Sequence, residues 1–180
     1  MCIRDSYSAT KLQEDIIEEN PSLKEISWHD LYNEKKNHYM QLLAEGKVQL
    51  MEGVESLLKN LEQASIKRCV VTHSPKEQIE AIKAQHKVLQ SIPFWVTREL
   101  YTHPKPHPEC YQKAISLYAQ EEDSIIGFED TPRGLAALAC TKARPILVCH
   151  KGHPGVQDAL KLGVDPVSYT HLTLPTILLM

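Results

Sequence analysis

Residues 124–138 read SIIGFEDTPRGLAAL, and this stretch limits the possible folds more than any other. Its apolar run Ile125-Ile126-Gly127-Phe128 reads as a buried strand that ends on two adjacent carboxylates, Glu129 and Asp130. Thr131 then offers a hydroxyl N-cap, and Pro132 stands at the first helical position, where its missing N–H costs nothing. Gly134 and an alanine-rich run continue as a closely packed helix. Open α/β sheets carry their chemistry at the carboxyl end of a strand, in front of a helix. Paired hard oxygen donors there suit Mg²⁺ better than zinc or iron. The ordinary alternative is a solvated turn whose charge favours the helix N-terminus. Taken alone, the stretch leaves both open.

The flanking pattern favours a sheet. Val54, Leu57, Leu58 and Leu61 repeat at helix spacing, and the β-branched run from Ile66 to Val71 reads as a strand. Helix and strand then alternate: a helix from Pro75, a strand at Phe94–Val96, a helix from Pro108, the strand at Ile125–Phe128, a helix from Pro132, a strand at Pro145–Cys149 and a helix from Pro154. Such alternation implies a parallel sheet with covering helices. Upstream of Val48 the pattern differs. Lys11 to Glu19 is charged and helical, stopped by Asn20-Pro21. Ser27 caps a second helix that runs to about Glu45, with Gly46 as its stop. Two charged helices without a strand between them read as a small helical subdomain or an ordinary helical hairpin.

At 180 residues a single domain with a real core is expected. The net charge of -3 points to neither nucleic acid nor a membrane as partner. No run is long and apolar enough to span a bilayer, and the start lacks a signal-peptide pattern. The five cysteines (Cys2, Cys69, Cys110, Cys140 and Cys149) contain no C-x-x-C pair. They read as thiols of a reducing cytoplasm, neither a disulfide frame nor a zinc site. Both ends look foreign: MCIRDS and VSYTHLTLPT resemble translated adaptor read-through. Met1–Ser6 and Val167–Met180 are therefore expected to lie outside the native fold, and the native part to be an interior piece of a longer gene.

Two further segments carry chemistry. Ser74-Pro75-Lys76-Glu77 has the form of a capping box, so the strand ending at Thr72 runs into a helix N-terminus that favours a bound anion. Thr72 adds a hydroxyl there, although a lone threonine is more often a turn residue. The loop His103-Pro104-Lys105-Pro106-His107-Pro108 is stiffened by three prolines and holds Lys105 in one place. A rigid lysine suits a phosphate or a carboxylate cluster, and a solvated loop lysine is the alternative. The two histidines raise a metal site, but the proline spacing is neither that of a helix nor that of a strand, so the rings are not expected to converge.

Thr72 at a strand end, Lys105 in KPHPE and Glu129-Asp130 in GFEDTPRG form an ordered set. It resembles the haloacid dehalogenase (HAD) superfamily of phosphohydrolases, in its β-phosphoglucomutase-like branch. The resemblance covers about Lys11 to Asp165. It implies an α/β fold with a Rossmannoid parallel sheet and a helical cap, here a partial cap over residues 7–47 and a core over 48–166. By position, Thr72 would hydrogen-bond the transferring phosphoryl group, and Lys105 would stabilise its charge and that of the nucleophile. Asp130 would bind Mg²⁺, with Glu129 as a further ligand or supporting acceptor. Thr72, His73, Ser74 and Lys105 would bind a small phosphorylated metabolite. Met51-Glu52-Gly53-Val54 matches the family's return from cap to core, with Glu52 in place of the usual proline.

The family's nucleophile and its general acid/base are two aspartates in a D-x-D motif on the first core strand. This sequence has none: Asp5 follows no apolar strand, and Asp15 and Asp30 sit in helical patterns. Without the nucleophilic carboxylate no aspartyl-phosphate forms, so the chain is expected to be inactive. The absent strand is the central one, beside the Thr72 strand and the Glu129 strand. Two open apolar edges, and with them poor solubility, are expected. Two alternatives remain: another HAD chemistry such as phosphonate cleavage, and a non-catalytic module that binds a phosphorylated ligand through Thr72 and Lys105. Oligomeric state is not readable.

Overall fold

Ser27 accepts the Asp30 N–H at 3.1 Å and donates back to the Asp30 carboxylate at 2.6 Å, which starts a helix at the next residue. The computed structural model describes residues 9–150, 155–161, 163–164, 166–169 and 177–179. Met1–Ser6, with Cys2 and Asp5, lie outside these residues, as do Pro154, Asp165 and positions 170–176 and 180. The chain forms two compact units that part between Val48 and Gln49.

The first unit contains α1 (Ala9–Glu19), a 3-10 turn (Pro21–Glu25) and α2 (Trp28–Ala44). α2 begins at the Ser27 cap. It ends near Gly46, whose φ of +68° lies in the left-handed region that glycine reaches without a Cβ clash. Asp15 and Asp30 both fall on helices, and Asp30 is engaged in capping.

In the second unit helix and strand alternate as the sequence predicts. The elements are α3 (Val54–Gln63), β1 (Arg68–Val71), α4 (Lys76–Gln85), β2 (Phe94–Val96), α5 (Glu109–Tyr118), β3 (Ile126–Glu129), α6 (Pro132–Ala139), β4 (Arg144–His150) and α7 (Gly155–Lys161), followed by two short strands, β5 (Pro166–Tyr169) and β6 (Ile177–Leu179). The sheet order is β2-β1-β6-β3-β4-β5. The pairs β1–β2, β3–β4 and β4–β5 are parallel, whereas β6 is antiparallel to both of its neighbours.

β1 is buried along its whole length. Cys69 and Val71 pack with Cys110, Tyr111 and Ala114 of α5. Val70, pointing the other way, packs with Val54 and Leu58 of α3 and with Leu89 and Ile92. α3 and α5 therefore cover opposite faces, which explains why this strand reads as a continuous apolar run and not an alternation. Leu135 of α6 and Leu147 of β4 close a third cluster with Val164. Fully buried leucines such as Leu58, Leu135, Leu138 and Leu147 contribute roughly 1.5–3 kcal/mol each relative to exposure. Burial pushes the Cys69 thiol up to about 12 and that of Cys110 up to about 11. Both are free and buried, and Cys140 is free and exposed.

Two expectations are corrected. β1 and β3 do not face an empty gap, because β6 pairs with both. β5 and β6 draw on the stretch that the sequence reading sets outside the native fold. The reason is physical: unpaired strand backbone needs partners, and Ile177-Leu178-Leu179 is a short apolar segment able to supply them. The second correction concerns Ser74. The N-cap of α4 is Pro75, with no side-chain capping bond. Glu99 instead accepts the Lys76 N–H at 3.0 Å, so a carboxylate from a distant turn does the work predicted for the serine.

Candidate active site

The register of β6 sets the geometry of the site. Val70 and Phe128 both face Ile177, and Arg68 and Ile126 both face Leu179. β1 and β3 thus run in the same direction and at the same level. Two residues further on, Thr72 and Asp130 emerge at the same edge of the sheet. They are separated by two strand spacings, about 10 Å. This is the carboxyl edge, where the sequence places the chemistry.

Glu129 is the last residue of β3 and is 2% exposed. Its Oε1 accepts from the Lys105 ammonium and from the Tyr111 hydroxyl. Its Oε2 faces the Asp130 N–H at 3.2 Å and the Thr131 hydroxyl at 3.3 Å. A buried carboxylate is tolerated only with such partners. Lys105 is itself mostly buried and lies 4.8 Å from the centre of the Tyr111 ring. The Arg133 guanidinium donates to the Lys105 carbonyl and ties the loop to the start of α6.

α6 begins as predicted. Thr131 accepts the Gly134 N–H at 3.1 Å, and Pro132 holds the first turn. Gly134 is required by space: a Cβ there would collide with the Glu129 carboxylate. Asp130, half-buried, follows Glu129 at the strand tip.

On the β1 side, the Thr72 N–H bonds to the Val96 carbonyl at 2.9 Å and extends the ladder by one residue. Its hydroxyl accepts the Ser74 N–H at 3.1 Å and so shapes the turn. The Tyr101 hydroxyl donates to the Thr72 carbonyl at 3.2 Å and stands 2.9 Å from His73 Nδ1. Desolvation holds the Tyr101 phenol well above its ordinary range. At the start of α4 the Lys76 N–H is taken by Glu99. Its carboxyl is held below the usual range first by Thr97 and then by that N–H.

The structure therefore brings Lys105 directly onto Glu129, and sets Thr72, His73 and Ser74 together in the turn after β1. Tyr111, Tyr101, Arg133 and Gly134 were not singled out from sequence as site residues. Tyr111 left a readable signal: it is a phenol on the apolar stripe of α5, and a buried phenol needs a partner for its hydroxyl.

The Lys105 loop departs from expectation. The His107 N–H bonds to the Pro104 carbonyl at 3.0 Å, so the segment turns back on itself. The His103 and His107 ring centres come within 4.7 Å. Rings that neither helix nor strand spacing would align are aligned by this turn.

A family model described as haloacid dehalogenase-like hydrolase matches residues 6–147. The chain belongs to the haloacid dehalogenase-like hydrolase family. Among relatives of this HAD-like chain is validoxylamine A 7'-phosphate phosphatase of Streptomyces hygroscopicus subsp. limoneus. It is 32% identical over 87 residues, which are 48% of this chain and 41% of the relative. Protein CbbY of Rhodobacter capsulatus is 23% identical over 124 residues, 66% of this chain and 53% of the relative. The chain spans about half the length of the curated relatives it matches. In fold it is similar to a crystal structure of β-phosphoglucomutase from Clostridium difficile, with a TM-score of 0.67 at 21% identity over 91% of this chain and 71% of that one. The HAD family and its Rossmannoid α/β fold, expected from three short motifs, are thereby shown.

Proposed function

We propose that the site handles the phosphoryl group of a small phosphorylated metabolite, as in a Mg²⁺-dependent HAD phosphohydrolase or phosphomutase of the cytoplasm. The observation that carries this reading is the shared edge. Thr72 and Asp130 stand level on either side of β6, and Lys105 is anchored on Glu129 nearby in the chain's own chemistry. The name of the validoxylamine relative, a phosphatase acting on a phosphate ester, supports the substrate class.

In this reading Thr72 donates its hydroxyl to the phosphoryl oxygens, with His73 and Ser74 beside it. Lys105, already a compact charge in a mostly buried setting, offsets negative charge on the group being transferred. The donor set fits Mg²⁺, because both acids offer hard oxygen. Glu129 is already bound to Lys105 and Tyr111, so Asp130 would be the direct ligand and Glu129 the supporting acceptor. A bound Mg²⁺ would polarise phosphoryl oxygens. Residues 7–47 serve as a cap, and residues 48–166 as the core.

The chain contains no D-x-D pair. The reading therefore gives the chain by itself binding without turnover, since no aspartyl-phosphate can form. Calorimetric titration with Mg²⁺, with and without inorganic phosphate, tests the site. Asp130→Asn is expected to weaken Mg²⁺ binding at least about tenfold, with p-nitrophenyl phosphate hydrolysis at background for both proteins. Equal Mg²⁺ affinity in the variant would overturn the metal role. Robust Mg²⁺-dependent hydrolysis by the chain alone would overturn the inactivity.

A further inference from the structure

The loop that sends Lys105 inward turns His103 and His107 out to solvent. Among the described residues, His103, His107 and Glu109 form a group whose ligand atoms all lie within 4.8 Å of one another. None of the three has a part in the phosphoryl reading above, and the group stands or falls independently of it.

The arrangement is held from behind. Glu109 is the first residue of α5. One of its oxygens accepts the Thr102 N–H and the other the His103 N–H, each at 2.8 Å. The backbone of the loop thus fixes the carboxylate before any ligand arrives. His103 Nδ1 lies 2.6 Å from Glu109 Oε2, so a single proton bridges imidazole and carboxylate. His107 Nδ1 accepts the Glu109 N–H at 3.2 Å, which places that ring nitrogen beside the same corner; the ring gives up this bond when its lone pair turns to the cation, and the exposed N–H at the helix start passes to water. The turn closed by the Pro104 carbonyl and the His107 N–H keeps both rings on one side.

We propose that His103, His107 and Glu109 form a binding site for a first-row divalent transition cation of the Zn²⁺ class. Two imidazole nitrogens and one carboxylate oxygen are donors for Zn²⁺, Co²⁺ or Ni²⁺, whereas Mg²⁺ prefers oxygen alone. Metal–ligand bonds of about 2.0–2.2 Å in a tetrahedral shell put neighbouring ligand atoms roughly 3.3 Å apart. The present separations bracket that value, from 2.6 Å between His103 and Glu109 to the 4.8 Å limit of the group. Small side-chain rotations reach it. The cation takes the place of the proton between His103 Nδ1 and Glu109 Oε2; in the neutral ring that proton moves to Nε2, which faces solvent, and from an imidazolium it is released. The backbone N–H bonds to Glu109 play the supporting part that fixes a ligating carboxylate. Three protein donors leave a position for water, as an exposed site requires. Bound there, the cation staples residues 103–109, the segment that carries Lys105.

The test uses the full chain, freed of metal with a chelator and titrated with Zn²⁺ against a chromophoric indicator. Saturable binding of one Zn²⁺ is expected, undisturbed by millimolar Mg²⁺. The double variant His103→Ala/His107→Ala is expected to bind at least about tenfold more weakly. A control variant, His29→Ala/His38→Ala, removes two exposed histidines of α2 and is expected to bind as the unaltered chain does. Substitution with Co²⁺ supplies a second readout: its visible absorption is expected to show imidazole ligation that is lost in the single variants His103→Gln and His107→Gln. Equal Zn²⁺ affinity in the unaltered chain and in His103→Ala/His107→Ala overturns the proposal. So does a Co²⁺ spectrum unchanged by either glutamine variant.

Discussion

Gly134 leaves the space that the Glu129 carboxylate fills. The glycine is on the first turn of α6 and the acid at the end of β3, so the missing Cβ lets the strand tip and the helix close on one another. Gly134→Ala is expected to destabilise the chain by about 1–3 kcal/mol, the usual range for overpacking. The cause is the carboxylate and not helix propensity, since alanine is the better helix former. In a Glu129→Ala background the same substitution is expected to cost much less. Urea denaturation of the four proteins measures the coupling, and a coupling near zero would show that the two residues do not compete for space.

Lys105 and Glu129 form an ion pair that is nearly withdrawn from water. Breaking such a pair from one side leaves a buried charge and costs on the order of 3–5 kcal/mol. Lys105→Met is expected to approach that range. Lys105→Met/Glu129→Gln is expected to recover much of the loss, because the amide keeps an acceptor for Tyr111 and carries no charge. Equilibrium unfolding of the single and double variants checks this. A double variant less stable than Lys105→Met would mean that the glutamate is held chiefly by its other partners.

The two halves of the site differed in how much the sequence disclosed. Thr131 and Pro132 announce the start of α6 because capping is local, and the structure bears both out. At Ser74 the same kind of local reasoning failed. The acceptor for Lys76 is Glu99, 23 residues away, and no local pattern encodes that meeting. Parallel β1, β2, β3 and β4 were legible because each is a compact apolar run between helix starts. β6 was not, since three apolar residues near the end of a chain specify no partner until two sheet edges require one. The convergence of His103 and His107 was hidden for a similar reason: it depends on a turn that reverses the loop, and neither helical nor strand periodicity describes it.

Asp123 links stability to pH away from the site. Its carboxyl is held below the ordinary range first by the Gln120 N–H and next by the Lys67 ammonium. A folded-state value below the unfolded one means a contribution that is present above the unfolded pKa and lost as pH falls through the folded one. Acid titration of the urea midpoint, from about pH 6 down to about pH 3, is expected to fall more steeply for the unaltered chain than for Asp123→Asn. Lys67→Met is expected to flatten the curve less than Asp123→Asn, because the backbone bond is the larger cause. Identical slopes for all three proteins would remove Asp123 from the acid limb.

β6 is the strand with the most to lose from one change. Leu178 faces Cys69 on one side and Gly127 on the other, so the same short strand closes two halves of the sheet. Proline at 178 removes a ladder donor and fits poorly in a strand paired on both sides. Leu178→Pro is expected to lower stability by roughly 1–3 kcal/mol, a lost hydrogen bond together with a partner left unsatisfied. The larger effect is on association. With β6 displaced, the facing edges of β1 and β3 carry unpaired backbone beside Val70 and Phe128, a template for pairing between chains. Light scattering during a thermal ramp is therefore expected to rise at a lower temperature in Leu178→Pro than in the unaltered chain. Leu160→Pro, in α7, is expected to destabilise without the same gain in scattering, because it opens no sheet edge. If the two proline variants aggregate alike at matched stability, β6 is not what keeps the edges apart from other chains.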